Sequence, residues 1–401
     1  LTRKDSKLLL LNPTSRSSVV NSKMAYLRSS LPVLYFCLRV LFFAVLASPV
    51  CAQEPVPDQV NASQINIVQS LPELPSPNAE YHPKPKTPEV VSEEHITQKL
   101  VGEEDLPSEK LDNQPGNYWI VSSRRALQNV HQTQSGSWHL DVYSCQPGVH
   151  SRATKLQELS QQLIPGVPVC VFSHGSFVKW ENHFKQANQA FHNLGWATGK
   201  QPLQFIFYTW PSDGPYSHIP QVDVAIRGKR AEFNGFHVAN LLSHIPESCP
   251  VTLVGHSHGT RVVLSALELA AGGTVQGFSL TKSVGQQRRL RAVLAAGAID
   301  HNWLNPGQRY GRALNRVECL LNLRNQNDLP LALYPLSRPF ARRPLARLGI
   351  TERDTATIGN YNAAKIRQVD VTNILGRAHY WPDYYSDSQI LAAVAPYLVS
   401  F

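Results

Sequence analysis

The sequence has 401 residues and a formal net charge of +9, from 38 Lys and Arg against 29 Asp and Glu. None of its six cysteines sits in a C-x-x-C spacing, so no zinc site of that kind is written into it. No internal repeat is visible, and Arg-rich spots such as Arg288-Arg289-Leu290-Arg291 are too short to define a nucleic-acid surface.

The charge is unevenly placed. Residues 1–52 carry seven basic and one acidic residue, residues 53–115 four basic and twelve acidic, and residues 116–401 the remaining 27 basic and 16 acidic. A basic body of this kind favours anionic surfaces or substrates; the plainer reading is a solvated basic surface. The single methionine is Met24 and the first residue is Leu1, so residues 1–23 are expected to lie outside the translated protein. From Met24 the chain reads as an export signal: Arg28 in a short positive region, an apolar run over residues 31–47, and Val50-Cys51-Ala52 as small residues for cleavage after Ala52. The expected location is therefore periplasmic or extracellular. The alternative is a retained membrane anchor over residues 31–47, a run at the short end of the spanning range and interrupted by Arg39. Cys51 follows Pro49-Val50, where a lipid-attachment box wants small residues. Residues 53–115 hold ten prolines and many acidic residues, too little apolar surface to offset chain entropy, and read as a disordered linker.

A catalytic body is expected over residues 116–401. Residues 118–122 and 138–144 read as strands joined by a turn at 134–137. Residues 153–163 have helical spacing. A short apolar strand over 167–172 ends at Ser173-His174-Gly175-Ser176 and leads to a helix over 179–194. A buried strand over 203–210 runs into Trp210-Pro211-Ser212-Asp213-Gly214, a rim loop whose Trp either lines a pocket or packs in a turn. An amphipathic helix follows over 222–244, then a strand over 251–254 and a helix over 260–271. Strands are expected over 290–299, ending at Asp300, over 316–323, leading to Asn325-Gln326-Asn327-Asp328, and over 366–371; a helix over 388–398 closes the body. Strands alternating with helices predict a three-layer α/β fold with a mostly parallel central sheet, and about 285 residues suit one domain. Of the four cysteines in the body, Cys170 and Cys319 lie in apolar runs and read as buried thiols; Cys145 and Cys249 complete the set, and disulfides are permitted but not demanded.

The strongest chemical signal is Gly255-His256-Ser257-His258-Gly259, placed between the strand and helix at 251–271. A strand, a sharp turn and a helix are the context in which G-x-S-x-G raises a serine hydroxyl at the end of a sheet. A nucleophilic serine needs a base, and the base needs an orienting acid; in this architecture they follow the serine in the order acid, then histidine. His379 is the one histidine after Asp328. Asp328, past a strand end, is the preferred acid, and Asp300, past the preceding strand, is the rival, with a capping role as its alternative. An oxyanion hole needs two preorganised N–H groups: those of His258, next to the serine, and of Ser176, in the loop after 167–172, are the expected pair. His256 and His258 as a metal pair is rejected, because no carboxylate set accompanies them; they are expected to shape the pocket, and neither metal nor organic cofactor is expected.

Phe172-Ser173-His174-Gly175-Ser176, Tyr208-Thr209-Trp210-Pro211-Ser212-Asp213-Gly214, Gly255–Gly259, Gly297-Ala298-Ile299-Asp300, Asn325–Asp328 and His379-Tyr380-Trp381 together resemble a bacterial branch of the α/β-hydrolase superfamily, largely described as hydrolases of unknown function. The resemblance covers roughly residues 118–398 and implies the three-layer fold and the roles of Ser257, Asp328 and His379. His258 departs from it, standing where the branch often has Met. The function expected is an exported serine esterase or thioesterase acting on a small-molecule or lipid-like acyl substrate. The alternatives are a non-catalytic envelope binding protein and a membrane-tethered amidase or acyltransferase. No nucleic-acid partner is expected; contact with a membrane or envelope surface stays open.

Overall fold

The computed structural model describes residues 116–128, 139–146, 151–199, 201–281, 284–337 and 340–401. The expected signal region, the linker, the 134–137 turn and residue 138 of the second expected strand lie outside the described residues.

Among the described residues, nine strands form one sheet: β1 (Tyr118–Ser122), β2 (Asp141–Cys145), β3 (Arg152–Thr154), β4 (Val169–Ser173), β5 (Gln204–Thr209), β6 (Val251–His256), β7 (Leu290–Ala295), β8 (Cys319–Arg324) and β9 (Ile366–Asp370). Their order is β3-β2-β1-β5-β4-β6-β7-β8-β9. From β1 to β9 the neighbours run parallel, while β2 and β3 add an antiparallel edge. The central strands are buried on both faces, so they read as unbroken apolar runs rather than alternating ones.

Alternate residues of each strand nevertheless feed different layers. Val169 and Val171 join Leu253, Val262 and Phe233 in one core, with Cys170 and Phe172 in the other beside Val254, Phe207 and Trp381. The first core lies under α3 (Pro220–Leu242) and α4 (Gly259–Ala270), which pack on each other. The second lies under α2 (Trp180–Ala197), α5 (Trp381–Ser386) and α6 (Ser388–Val399). A helix α1 (Leu156–Gln162) packs at the antiparallel edge beside β2. The crossing of α3 and α4 is close: a Cβ on Gly235 would collide with the Ser265 side chain. Every residue of α4 is buried.

Three differences from the sequence reading have local causes. The helix expected over 153–163 is a three-residue strand followed by α1, with Lys155 extended between them. The strand expected over 290–299 stops at Ala295, because Ala296 turns into the left-handed region at φ 49° and carries 296–300 out of the sheet. The strand expected from 316 begins at Cys319; Ala313–Arg316 is a helical turn, and Arg316 donates to the carbonyls of Arg288 and Gly285. Cys145, Cys170 and Cys249 are buried and Cys319 half-buried, and all four are free thiols.

Candidate active site

Strand β6 ends at His256, and Ser257 takes φ 53° before α4 begins. A left-handed serine is costly unless its surroundings hold it. Here the Ser257 N–H donates to the Ala295 carbonyl at 2.9 Å, and its own carbonyl accepts from the N–H of Thr260 at 3.1 Å and the Thr260 hydroxyl at 2.6 Å. The turn also needs bare backbone. A Cβ on Gly255 would stand 2.7 Å from the Gly259 carbonyl oxygen, and one on Gly259 would collide with the Ser173 carbonyl oxygen. Both outer glycines of the motif are therefore explained by close approach rather than by φ.

The side chains of Ser257, His379 and Asp328 are brought together from three segments. His379 Nε2 lies 3.0 Å from Ser257 Oγ, and His379 Nδ1 lies 2.7 Å from Asp328 Oδ2. Asp328 is fully buried, and its other oxygen accepts the Leu331 N–H at 3.0 Å as it caps the helical turn Leu329–Ala332. That turn is stitched to the histidine loop: Asn325 Nδ2 donates to the Ala378 carbonyl at 3.1 Å and the Leu329 N–H to that of Arg377 at 3.3 Å. Asp300, the rival acid, is used elsewhere. Its carboxylate accepts from the Tyr334 hydroxyl at 2.9 Å and the Arg342 N–H at 3.2 Å, fixing the loop after β8.

Ser176 sits in the loop after β4 beside the elbow. Its hydroxyl lies 2.7 Å from His258 Nδ1. Among the described residues, the backbone N–H groups of Ser176 and His258 make no backbone hydrogen bond. Gly175 lets the loop come this near: a Cβ there would be 2.9 Å from Ser257 Cβ and 3.0 Å from His256 Nδ1.

Buried imidazoles surround the serine. His256 Nε2 lies 2.8 Å from the His379 carbonyl oxygen. Burial, then His379 and His174, drives His256 well below the usual imidazole range. Burial, then Arg261, Arg227 and His379, does the same to His258. His174 is pushed down to about 3 by burial and Arg124, despite its hydrogen bond to the Gly175 carbonyl. Its ring stacks on Trp210 at 5.7 Å, and the Trp210 indole N–H donates to the His174 carbonyl at 2.9 Å. Trp210 is thus packed beneath the loop, not at a pocket rim. The sequence assigns His256 no partner; the signal it holds is a histidine closing a largely apolar strand, which needs an acceptor inside the fold.

A mostly parallel sheet with helices on both faces, a strained serine between strand and helix, and an aspartate and histidine following in chain order make up an α/β-hydrolase arrangement. Residues 151–305 match the family described as alpha/beta hydrolase of unknown function (DUF900). No curated protein matches the chain. Among solved structures it is similar to a Trichoderma reesei cutinase in complex with a C11Y4 phosphonate inhibitor, at 15% identity over 59% of this chain and 79% of that chain, with a TM-score of 0.26. It is also similar to an iodinated complex of acetyl xylan esterase, at 15% identity over 59% of this chain and 100% of that chain, with a TM-score of 0.28.

Proposed function

We propose that the protein is a serine hydrolase that cleaves an ester or thioester through an acyl-enzyme. The observation that carries this reading is the hydrogen-bonded series Asp328–His379–Ser257, at 2.7 and 3.0 Å. His379 Nε2 takes the Ser257 proton as Oγ attacks the carbonyl carbon; Asp328 holds the imidazole by its Nδ1–H and stabilises the cation that forms. The negative oxygen of the tetrahedral intermediate falls between the N–H groups of Ser176 and His258. As the intermediate collapses, His379 returns the proton to the departing alcohol or thiol. Water, deprotonated by the same imidazole, then releases the acid and restores Ser257.

An apolar acyl group suits the surroundings. Ser176, Asp328 and His379 are each followed directly by an exposed apolar or aromatic side chain, Phe177, Leu329 and Tyr380. Export by the signal at residues 24–52, with the acidic linker holding the domain away from an envelope, belongs to the same proposal. Labelling of the whole protein with a fluorophosphonate probe tests the chemistry. Wild type is expected to label and Ser257→Ala to stay unlabelled; equal labelling of the two, or none of folded wild type, overturns the proposal.

A further inference from the structure

The two histidines flanking Ser257 are not explained by the proton relay. They lie on the rigid elbow, and each side chain reaches a different loop. His256 Nε2 meets the carbonyl of His379 at 2.8 Å; a carbonyl only accepts, so this nitrogen carries the proton. His258 Nδ1 meets the Ser176 hydroxyl at 2.7 Å. The neighbouring backbone of each loop is tied away from the elbow. Ala378 and Arg377 bond to the acid loop, and the Phe177 N–H donates to the Ser212 carbonyl at 2.8 Å.

From this we infer that His256 and His258 are positioning residues: His256 fixes the backbone of the base, and His258 fixes the loop that presents the Ser176 N–H, so both are referenced to the elbow carrying Ser257. The inference rests on the proposed hydrolase reading. Its geometry explains why both rings are buried, each with one ring nitrogen held by the loop it fixes. His256 is closed in by the rings of His379, Trp381 and Tyr384, with centroids at 5.2, 5.4 and 5.8 Å. Its Nδ1 lies against the position a Cβ of Gly175 would occupy. Neutrality suits the task. Cations at these two places would stand beside His379 and oppose the charge it must accept. The charges of the nearby groups Arg227, Arg261, His174 and His379 disfavour a further proton, and burial outweighs the favourable hydrogen bond from His256 to the His379 carbonyl.

The two roles separate by substitution. Leu at either position removes the hydrogen bond. Gln at 256 can place an amide N–H near the former Nε2, and Asn at 258 an amide group near the former Nδ1. With p-nitrophenyl butyrate as probe, His256→Leu and His258→Leu are expected to lose kcat about 10- to 100-fold with little change in KM, the scale of a misplaced reacting group. His256→Gln and His258→Asn are expected to recover most of the loss. The double variant Ser176→Ala/His258→Leu is expected to be no slower than the worse single variant. Turnover and fluorophosphonate labelling of wild type, lost in Ser257→Ala, show that the hydrolase reading stands whatever the histidine variants do. If that holds while the Leu variants keep wild-type kcat, or the amide variants are no better than Leu, the positioning role is wrong. Nitrogen-15 imidazole spectra of wild type give a second measure that needs no variant to fold. His256 is expected as the neutral Nε2–H tautomer at pH 7.5, and the Nδ1–H tautomer or an imidazolium there overturns the inference.

Discussion

Gly175 and Ser257 face each other so closely that a methyl group on the glycine would stand 2.9 Å from the Ser257 Cβ. The other atoms it would meet are His256 Nδ1 at 3.0 Å and the His256 carbonyl oxygen at 3.3 Å, all on the elbow. Gly175→Ala must therefore push the β4 loop away from the serine. The expected cost is about 1–3 kcal/mol of stability and a fall in ester turnover of about 100-fold, the scale of a 1 Å displacement. Urea unfolding and p-nitrophenyl ester kinetics on one preparation check both; unchanged turnover would show that the loop is not held at this distance.

The two candidate acids make a direct comparison. Asp328→Asn keeps the shape but turns an amide N–H toward His379 Nδ1, which favours the wrong imidazole tautomer; kcat is expected to fall about 10⁴-fold. Asp300→Asn leaves an acceptor for Tyr334 and weakens the hold on Arg342. It is expected to cost about 1 kcal/mol and to leave kcat within a few-fold. A reversal of the two effects on kcat would move the acid to Asp300.

Buried neutral histidines set a pH dependence of stability. His174 is pushed down to about 3 and His237 to about 4, both chiefly by burial. In the unfolded chain they protonate near pH 6.5. The unfolded state therefore binds more protons below that pH, so their contribution is complete above about pH 6.5 and is lost as pH falls toward 4 and then 3. Each adds a slope approaching 1.4 kcal/mol per pH unit, by about the value of one pKa unit. His237 Nε2 lies 2.7 Å from the Leu127 carbonyl oxygen, an acceptor a glutamine amide can also reach. Unfolding midpoints at pH 7.5, 6.0 and 5.0 are expected to fall steadily, and His237→Gln to flatten the decline; equal slopes in the two proteins would refute the assignment.

A buried ion pair stands behind the β4 loop. Arg227 and Asp223, both on α3 and both buried, meet at 2.8 Å; Arg227 also donates to the Ser212 carbonyl, and its guanidinium lies 4.1 Å from the centre of the Phe177 ring. Asp223→Ala leaves the cation without its partner. A loss of about 3–5 kcal/mol is expected, and a smaller one for Asp223→Asn, which also removes the charge but keeps an acceptor for the Tyr216 N–H, now 2.7 Å away. Thermal melts of the two variants decide; similar melting temperatures would mean water reaches Arg227.

The elbow was legible because its signal is local: an apolar strand, glycines where backbones touch, and an apolar helix within twenty residues. His379 and Asp328 were legible from chain order, although neither residue's neighbours in sequence say that the two meet. Asp300 was a credible rival only while its strand seemed to run on to Ile299; a left-handed Ala296 ends the strand early, and nothing in that alanine announces it. The edge strand β3 was hidden because three residues carry no alternation, two of them being exposed. Helix α5 is not legible despite a start signal, Pro382 in its first turn, because six residues are too few to show a helical period. The partners of His256 and His258 lie 123 and 82 residues away, beyond what spacing alone encodes.

The complete burial of α4 bears on how the protein would fail. The serine stands at the head of a helix with no face on solvent, the kind of segment that opens only when the whole domain does. His379 sits on a half-buried loop, and Asp328, itself buried, caps a four-residue helical turn; segments this short open at lower cost. Denaturant would thus disarm the protein before it unfolds it, and activity would fade while backbone amides of residues 262–270 still resist exchange with deuterium.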